Sequence, residues 1–357
     1  MKRRSVFICI LLLATVIVSA QENDLWYSFE DNKTELIGFK DKNGNVKIEP
    51  KFGFFTHAEK FDKIIAVSEP KSEGGFASYY LTKTGKKVGI ESMYMFDMTY
   101  DCENEGYIRF KKIDKVGLFD GKGNAVIPPI YNRISKVHNG MMFALSGAVI
   151  KRDGEHFSFV GGVETLIDVN NNVLIKDFSF DENINLYSMI IEDDNHSTSP
   201  IRDYFVGTNG KTYSFINYKK EFRYWFESVL KEELTKEKIK NHFFDKVSYW
   251  DDTYGWVSFP KKDLEAEFVQ NIIAKLNKTK IKNAKYNLFL EDLNKFIYES
   301  KEFVSYYDNC TDALTSKYPV INVVVDGKNK DKSVQDHFEF LRTQDGYKLV
   351  GVSIRSE

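Results

Sequence analysis

Cysteine is scarce in this sequence, with three in 357 residues. Cys9 lies among the first twenty residues, so Cys102 and Cys310 are left for the folded chain. Two cysteines are far too few for a disulfide-dense scaffold. They fit one disulfide in an oxidising compartment or two separate thiols, and the residues alone leave both possibilities open.

Net charge and long apolar runs are also lacking. The formal charge of −2 gives no long-range attraction to nucleic acid, so we predict no nucleic-acid partner. The apolar run at 6–18 follows basic residues at 2–4 and is shorter than the roughly 20 residues that span a membrane. Residues 18–20 (VSA) fit a signal-peptide cleavage site. We therefore predict cleavage after Ala20, a secreted, periplasmic or cell-surface location, and no transmembrane helix after cleavage.

Motifs for catalysis and cofactor binding are absent as well. The sequence contains no phosphate-binding loop, no G-x-S-x-G and no H-E-x-x-H. The six histidines are scattered, and none pairs with another ligand at a metal-site spacing. The turn at 41–45 (DKNGN) begins like a calcium loop, but Phe52 stands where the bidentate glutamate should be. We assign no catalytic, cofactor-binding or metal-binding residue, which favours a non-enzymatic protein and leaves activity open.

One pattern recurs along the N-terminal half of the chain. Residues 37–52 (IGFKDKNGNVKIEPKF) align without a gap with residues 116–131 (VGLFDGKGNAVIPPIY), and three less regular copies fit the same frame. The copies share one turn position, which is occupied by Gly44, Gly85, Gly123, Asn171 and Gly210. A spacing of roughly forty residues is typical of a repeat architecture.

The residue types at the shared position suit a β-hairpin turn. Such a turn needs a positive φ, which glycine adopts without steric cost and asparagine adopts next best. Asp41, Asp120 and Asp168 precede three of these turns, and we expect their carboxylates to accept hydrogen bonds from the turn backbone. A further apolar run accompanies each hairpin, so we predict about three short strands per copy, packed against those of the neighbouring copies.

The pattern G-[FL]-x-D-x-x-G-N-x-x-I-x-P-x-[FY] resembles the WG-repeat family over roughly residues 36–217. Ile37 and Val116 stand where the tryptophan that names the family would be. The resemblance implies a β-rich array of about five repeats, of a kind found in secreted or envelope-associated bacterial proteins. It also implies a role in binding or scaffolding, and no catalytic residue belongs to the motif.

The pattern changes near Tyr218, where apolar residues take up helical spacing. We predict a first helix there, a second at 236–243 after Thr235 as N-cap, and a third from Pro260 to about Asn277. The alternating residues 245–259 predict paired strands, the β-branched run at 320–325 predicts another strand, and residues 337–342 and 347–354 predict a hairpin. The predicted plan is a signal peptide (1–20), a WG-like β-repeat domain (21–217) and an α+β domain with an antiparallel sheet (218–357).

The order of elements in the C-terminal domain loosely resembles the nuclear-transport-factor-like, or SnoaL-like, cone fold. That resemblance implies a cavity between helix and curved sheet.

A candidate ligand surface consists of the acids and aromatics Trp250, Asp251, Asp252, Tyr254 and Trp256, together with the strand residue His337. Acids beside aromatics can hold a sugar or a cation, but a solvated hairpin tip above core aromatics explains the same residues.

Two functions follow from these observations. The first is a secreted or envelope-associated, non-enzymatic protein that binds a protein or glycan partner on its β-repeat surface. The second is a small-ligand-binding or enzymatic C-terminal cavity, with the repeats as a targeting module.

Overall fold

The computed structural model describes residues 25–193, 198–231, 233–279, 286–329 and 332–356. The predicted signal peptide lies outside the described residues. Strands dominate the described chain, and they form small, mostly antiparallel sheets. No helix of this part of the chain is long and apolar enough to cross a membrane.

The first three copies of the repeat each contain a three-stranded antiparallel meander. The first has the strands β1 (Trp26–Glu30), β2 (Ile37–Asp41) and β3 (Val46–Phe52), with β4 (Lys60–Phe61) beside β1. The second has β5 (Ile64–Pro70), β6 (Phe76–Thr82) and β7 (Lys87–Val88), followed by a small hairpin of β8 (Met95–Phe96) and β9 (Thr99–Tyr100). The third has β10 (Tyr107–Lys112), β11 (Lys115–Asp120) and β12 (Ala125–Tyr131).

The last two copies depart from this plan. The fourth has β13 (Arg133–Ile134), β14 (Met141–Ser146), an inserted hairpin of β15 (Val149–Asp153) and β16 (His156–Val160), then β17 (Val163–Asp168) and β18 (Val173–Lys176). The fifth has β19 (Ile184–Glu192), β20 (Arg202–Val206) and β21 (Thr212–Asn217). Its spatial order is β19-β21-β20, so its third strand is central, whereas the second strand is central in the first three copies.

The shared turn position has a positive φ in all five copies: Gly44 (87°), Gly85 (82°), Gly123 (70°), Asn171 (65°) and Gly210 (76°). The aspartates that precede three of these turns accept main-chain hydrogen bonds, as the sequence predicts. Asp120, for example, accepts from the N–H groups of Lys122 at 2.9 Å and Asn124 at 2.8 Å. Asp41 and Asp168 make the same pair of bonds.

The first glycine of the motif lies within a strand, where close packing leaves no room for a side chain. A Cβ atom at Gly117 would lie 2.6 Å from the carbonyl oxygen of Ile127 and 2.7 Å from the ring of Phe110. A Cβ atom at Gly38 would likewise lie 2.7 Å from the carbonyl oxygen of Ile48. The missing side chain therefore lets an irregular strand pair and an aromatic ring lie directly against the backbone.

Each buried apolar cluster of the array joins two successive copies. Ile64 and Tyr80 of the second copy pack with Ile108, Phe110 and Phe119 of the third. Corresponding clusters join the first copy to the second, the third to the fourth and the fourth to the fifth. The copies therefore bury their apolar faces against their neighbours, which is how solenoid-like repeats gain stability.

The remaining elements form one mixed sheet with helices on one face. They are α1 (Tyr218–Lys231), α2 (Lys236–Lys240), β22 (Phe243–Asp251), β23 (Gly255–Pro260), α3 (Ala266–Lys278), β24 (Tyr286–Glu291), β25 (Val320–Asn329), β26 (Lys332–Thr343) and β27 (Gly346–Ser353). The sheet order is β23-β22-β27-β26-β25-β24. Phe222, Phe226 and Ile272 of the helices pack on Phe338 and Leu349 of the sheet. The opposite face is covered by a connecting segment that contains a 3-10 helix (Lys301–Tyr306).

Three predictions for this region need correction. Helix α2 has the predicted N-cap Thr235 but ends at Lys240, and Phe243 begins a strand instead. Pro260 does not open the third helix: it ends the edge strand β23, where a residue without an N–H is tolerated. The predicted antiparallel sheet is mixed, because β22 runs parallel to β27.

The repeats and the mixed sheet are joined covalently. Cys102 and Cys310 form a disulfide with their Cα atoms 6.0 Å apart, so of the two possibilities left open by the sequence the structure contains the bridge. Around it, the Nζ of Lys136 lies 3.0 Å from Asp308, and the carbonyl oxygen of Asn309 accepts from the N–H of Lys60. The segment that carries Cys310 is therefore held against the repeat array.

Candidate ligand-binding site

An open cleft of about 980 Å³ lies at one end of the mixed sheet. Its walls come from the end of β22, the tip of the β25–β26 hairpin, helix α3 and the chain that follows β27. The residues that matter for its chemistry are Tyr249, Trp250, Asp252, Phe268, Asn271, Asn329 and Arg355. With Lys332, the cleft combines three aromatic side chains with a carboxylate, two amides, an ammonium and a guanidinium.

The aromatic wall is fixed by contacts between rings. The ring of Tyr249 lies 4.6 Å from that of Phe268 on α3. The indole of Trp250 is 39% exposed and lies 6.0 Å from the ring of Trp256, its direct cross-strand neighbour. Its Nε1–H donates to Asp252 at 3.2 Å. One indole and one carboxylate are therefore held side by side at the surface.

The other predicted residues of this hairpin have different positions. Asp251 accepts hydrogen bonds from the N–H groups of Thr253 at 2.8 Å and Tyr254 at 2.9 Å, so its carboxylate shapes the turn. Tyr254 is 80% exposed at the tip and does not line the cleft. Of the five residues predicted here, Trp250 and Asp252 are the two that line the cleft.

His337 lies apart from this cleft. Successive strand residues point to opposite faces, and its neighbour Phe338 belongs to the core beneath the helices. On the other face, the Nδ1 of His337 lies 3.2 Å from the amide nitrogen of Asn322, which donates to Glu291 at 3.0 Å. Burial lowers the pKa of His337 below its ordinary value. This histidine is not among the residues that line the cleft of Trp250 and Asp252, but it lines a neighbouring cleft that shares Arg355 with it.

Behind Ser356, which lines the cleft, lies a buried pair of charged groups that the sequence analysis did not identify. The ammonium of Lys275 and the carboxylate of Asp336 are almost fully buried and lie 4.0 Å apart. Ser356 lies between them: Lys275 donates to its carbonyl oxygen at 2.8 Å, and Asp336 accepts from its N–H at 2.8 Å. The sequence does contain a signal for the burial of Lys275. It lies three residues after the core residue Ile272 on α3, and residues three apart share one face of a helix.

One cluster of potential metal ligands occurs in the described part of the chain. The one group of three His, Cys, Asp or Glu side chains found there with ligand atoms close enough together is Cys102, Asp308 and Cys310. The two sulfurs of this group are bonded to each other. They therefore cannot act as thiolate ligands.

Comparison with known families identifies part of the array. Two segments, residues 37–64 and 117–145, match the model of the WG containing repeat. They contain all or nearly all of the two best-aligned segments of the pattern, 37–52 and 116–131, and extend to the start of β5 and into β14, so the WG-repeat part of the prediction is confirmed for these residues. No curated protein and no solved structure gives a significant match.

Proposed function

We propose that this is an exported, non-enzymatic binding protein whose C-terminal cleft takes a sugar or a similar polar ring. The observation that carries the proposal is the half-exposed indole of Trp250 beside the carboxylate of Asp252 in a large open cleft. The repeat array is its rigidly attached support. The proposal keeps the predicted division at Tyr218 between the two parts.

The chemistry of the cleft suits such a ligand. Sugar rings have an apolar face of C–H groups that stacks on an indole, and hydroxyl groups that need polar partners. Asp252 can accept from hydroxyls, while Asn271, Asn329 and Arg355 can donate to them. The open shape of the cleft leaves room for more than one ring.

Two further features support export and a cavity-bearing domain. A disulfide between Cys102 and Cys310 suits an oxidising compartment, and the basic and apolar start of the chain suits a signal peptide. Helices on one face of a six-stranded sheet, with a cleft at the end of the sheet, fit the proposed nuclear-transport-factor-like or SnoaL-like fold.

A second candidate function places the partner on the repeat array. Phe96 is 80% exposed at the tip of the β8–β9 hairpin, and Ile113 is 86% exposed in the turn between β10 and β11. Met95 and Met98 of the same β8–β9 hairpin are also exposed, and grouped apolar side chains of this kind favour contact with a protein partner. In this case the array would be the binding surface and the C-terminal cleft would be secondary.

A glycan array with the purified protein, followed by calorimetric titration of the best binder, tests the first candidate. Trp250→Ala and Asp252→Asn should each weaken binding by about tenfold or more, because each removes a direct contact. Tyr254→Ala is the matched control on the same hairpin and should leave affinity unchanged. Equal losses in all three variants, or binding abolished instead by Phe96→Ala, would overturn the assignment of the cleft.

A further inference from the structure

The hairpin of β15 and β16 stands outside the repeat plan. It is inserted between β14 and β17 and forms a two-stranded sheet of its own. Gly147, Gly161 and Gly162, at its base, all have positive φ. The hairpin therefore leaves the fourth sheet through two glycine-containing bends instead of continuing it.

Its apolar side chains are unusually exposed. Val149 is 70% exposed, Phe157 is 55% and Val160 is 53%. A two-stranded hairpin by itself is marginally stable in water, because it has no further surface on which to bury such side chains. Additional strands would supply that surface.

The two outer edges of the hairpin differ in charge. The strand β15 carries Lys151, Arg152 and Asp153, all exposed. The strand β16 (HFSFV) carries no Lys, Arg, Asp, Glu or Pro. Soluble proteins protect exposed strand edges with charged residues or proline, so β15 has the usual protection and β16 does not.

We propose that β16 pairs antiparallel with β16 of a second copy of this chain, about a two-fold axis at Ser158. The two hairpins then form one four-stranded sheet in the order β15-β16-β16-β15. Such an interface is isologous, because each copy offers the same strand. It rests on main-chain hydrogen bonds along the open edge and on the side chains that the new register brings together.

This register is self-complementary. It places Phe157 of each copy opposite Phe159 of the other copy. The four phenyl rings then lie on one face of the joined sheet. It sets His156 opposite Val160, so no two like charges face each other across the junction. The same operation on β15, centred on Lys151, would set two lysines directly opposite each other, which is destabilising. The arrangement of charges therefore selects β16 over β15.

The small size of the interface limits the strength of the association. Each copy contributes a strand of five residues. Small interfaces of this kind belong to the weak, transient class. We expect a dissociation constant of about 10–100 µM. Local protein concentrations in this range are reached more readily at a membrane surface or in a crowded compartment than in dilute solution.

Sedimentation velocity on the purified protein from about 1 to about 300 µM tests the association. Site-directed cross-linking tests the register. Ser158→Cys should form a covalent dimer under mild oxidation, since residues opposite each other across a strand pair lie within disulfide reach. Lys151→Cys, on the other edge, is the control and should remain monomeric. Peptide mapping separates the new bridge from the one between Cys102 and Cys310.

A charge variant tests the same junction without cysteine. Ser158→Asp is favourable within each hairpin, because Lys151 is its cross-strand neighbour, yet it sets two carboxylates opposite each other in the dimer. It should raise the dissociation constant about tenfold or more, whereas Val149→Asp, which adds the same charge on β15, should leave it within about twofold. A protein that stays monomeric throughout, or cross-links equally through residues 151 and 158, would overturn the proposal.

Discussion

The carboxylate of Glu103 accepts a hydrogen bond from the main-chain N–H of Lys63 at 2.9 Å, and a second from Ile64 at 3.1 Å. Glu103 stands just before β10 of the third copy, whereas these N–H groups stand at the start of β5 of the second. Its side chain is buried, and burial raises its pKa to about 7 despite the two hydrogen bonds. One acidic residue thus joins successive copies and couples their packing to pH.

This coupling predicts the pH dependence of stability. The folded-state pKa of about 7 lies above the ordinary value of 4.5, so the folded chain holds the proton more tightly than the unfolded chain. The contribution of Glu103 is fully present below pH 4.5 and is lost as the pH rises through 7. The loss is at most about 3 kcal/mol.

Urea unfolding of the wild type and of Glu103→Gln across this pH range checks the sign. Glutamine keeps a carbonyl oxygen that can accept from both N–H groups, but it does not titrate. The difference in unfolding free energy between the two proteins should change in favour of the variant as the pH rises from 4.5 to 7.5. A difference that stays constant would show that Glu103 does not titrate in this range.

The turn glycines offer a graded series of substitutions. Gly44 and Gly123 both have positive φ, but a Cβ atom at Gly123 would lie 3.0 Å from Val88, whereas one at Gly44 meets nothing within 4 Å. Gly123→Val should therefore destabilise most, by about 2–3 kcal/mol, and Gly44→Val somewhat less. Lys122→Val, beside Gly123 in the same turn, should cost under about 0.5 kcal/mol. Thermal midpoints that do not follow this order would contradict the assignment of the turns.

Local features of the fold could be predicted from the sequence. The turn at Gly123 and the carboxylate of Asp120 that accepts from it depend on four or five consecutive residues. The stripe that places Phe222 and Phe226 on one side of α1 depends only on helical spacing. These interactions join residues that are close together in the sequence, so a local pattern in a single sequence is enough to predict them.

Features that depend on distant parts of the chain could not be predicted in this way. The parallel pair of β22 and β27 joins residues about a hundred positions apart, and no local pattern encodes it. No local pattern encodes the central position of β21 in the sheet of the fifth copy either. In the candidate site, Trp250 and Asp252 follow from one hairpin, but Arg355 reaches the cleft only through the tertiary fold.

The buried pair of Lys275 and Asp336 allows a test of charge compensation. Lys275→Met removes the ammonium but leaves the carboxylate of Asp336 buried, so it should destabilise by about 3–5 kcal/mol. Adding Asp336→Asn neutralises the remaining charge while its amide oxygen can still accept from Arg355 and Ser356. The double variant should therefore be more stable than Lys275→Met alone. If thermal melts show the double variant to be the less stable, Asp336 stabilises through its charge towards groups other than Lys275.

Removal of the disulfide between Cys102 and Cys310 tests how much it adds to the free energy of unfolding beyond the contacts around it. The two cysteines are 208 positions apart, and closing so long a loop in the unfolded chain corresponds to at most about 5 kcal/mol. The double variant Cys102→Ser/Cys310→Ser should therefore lose about 2–5 kcal/mol, even though Lys136 still contacts Asp308. Reductant should lower the thermal midpoint of the wild type to that of the variant and leave the variant unchanged. An unchanged wild-type midpoint in reductant, with the free thiols verified by alkylation, would mean that the contacts of Lys136 and Asn309 hold the segment without the bridge.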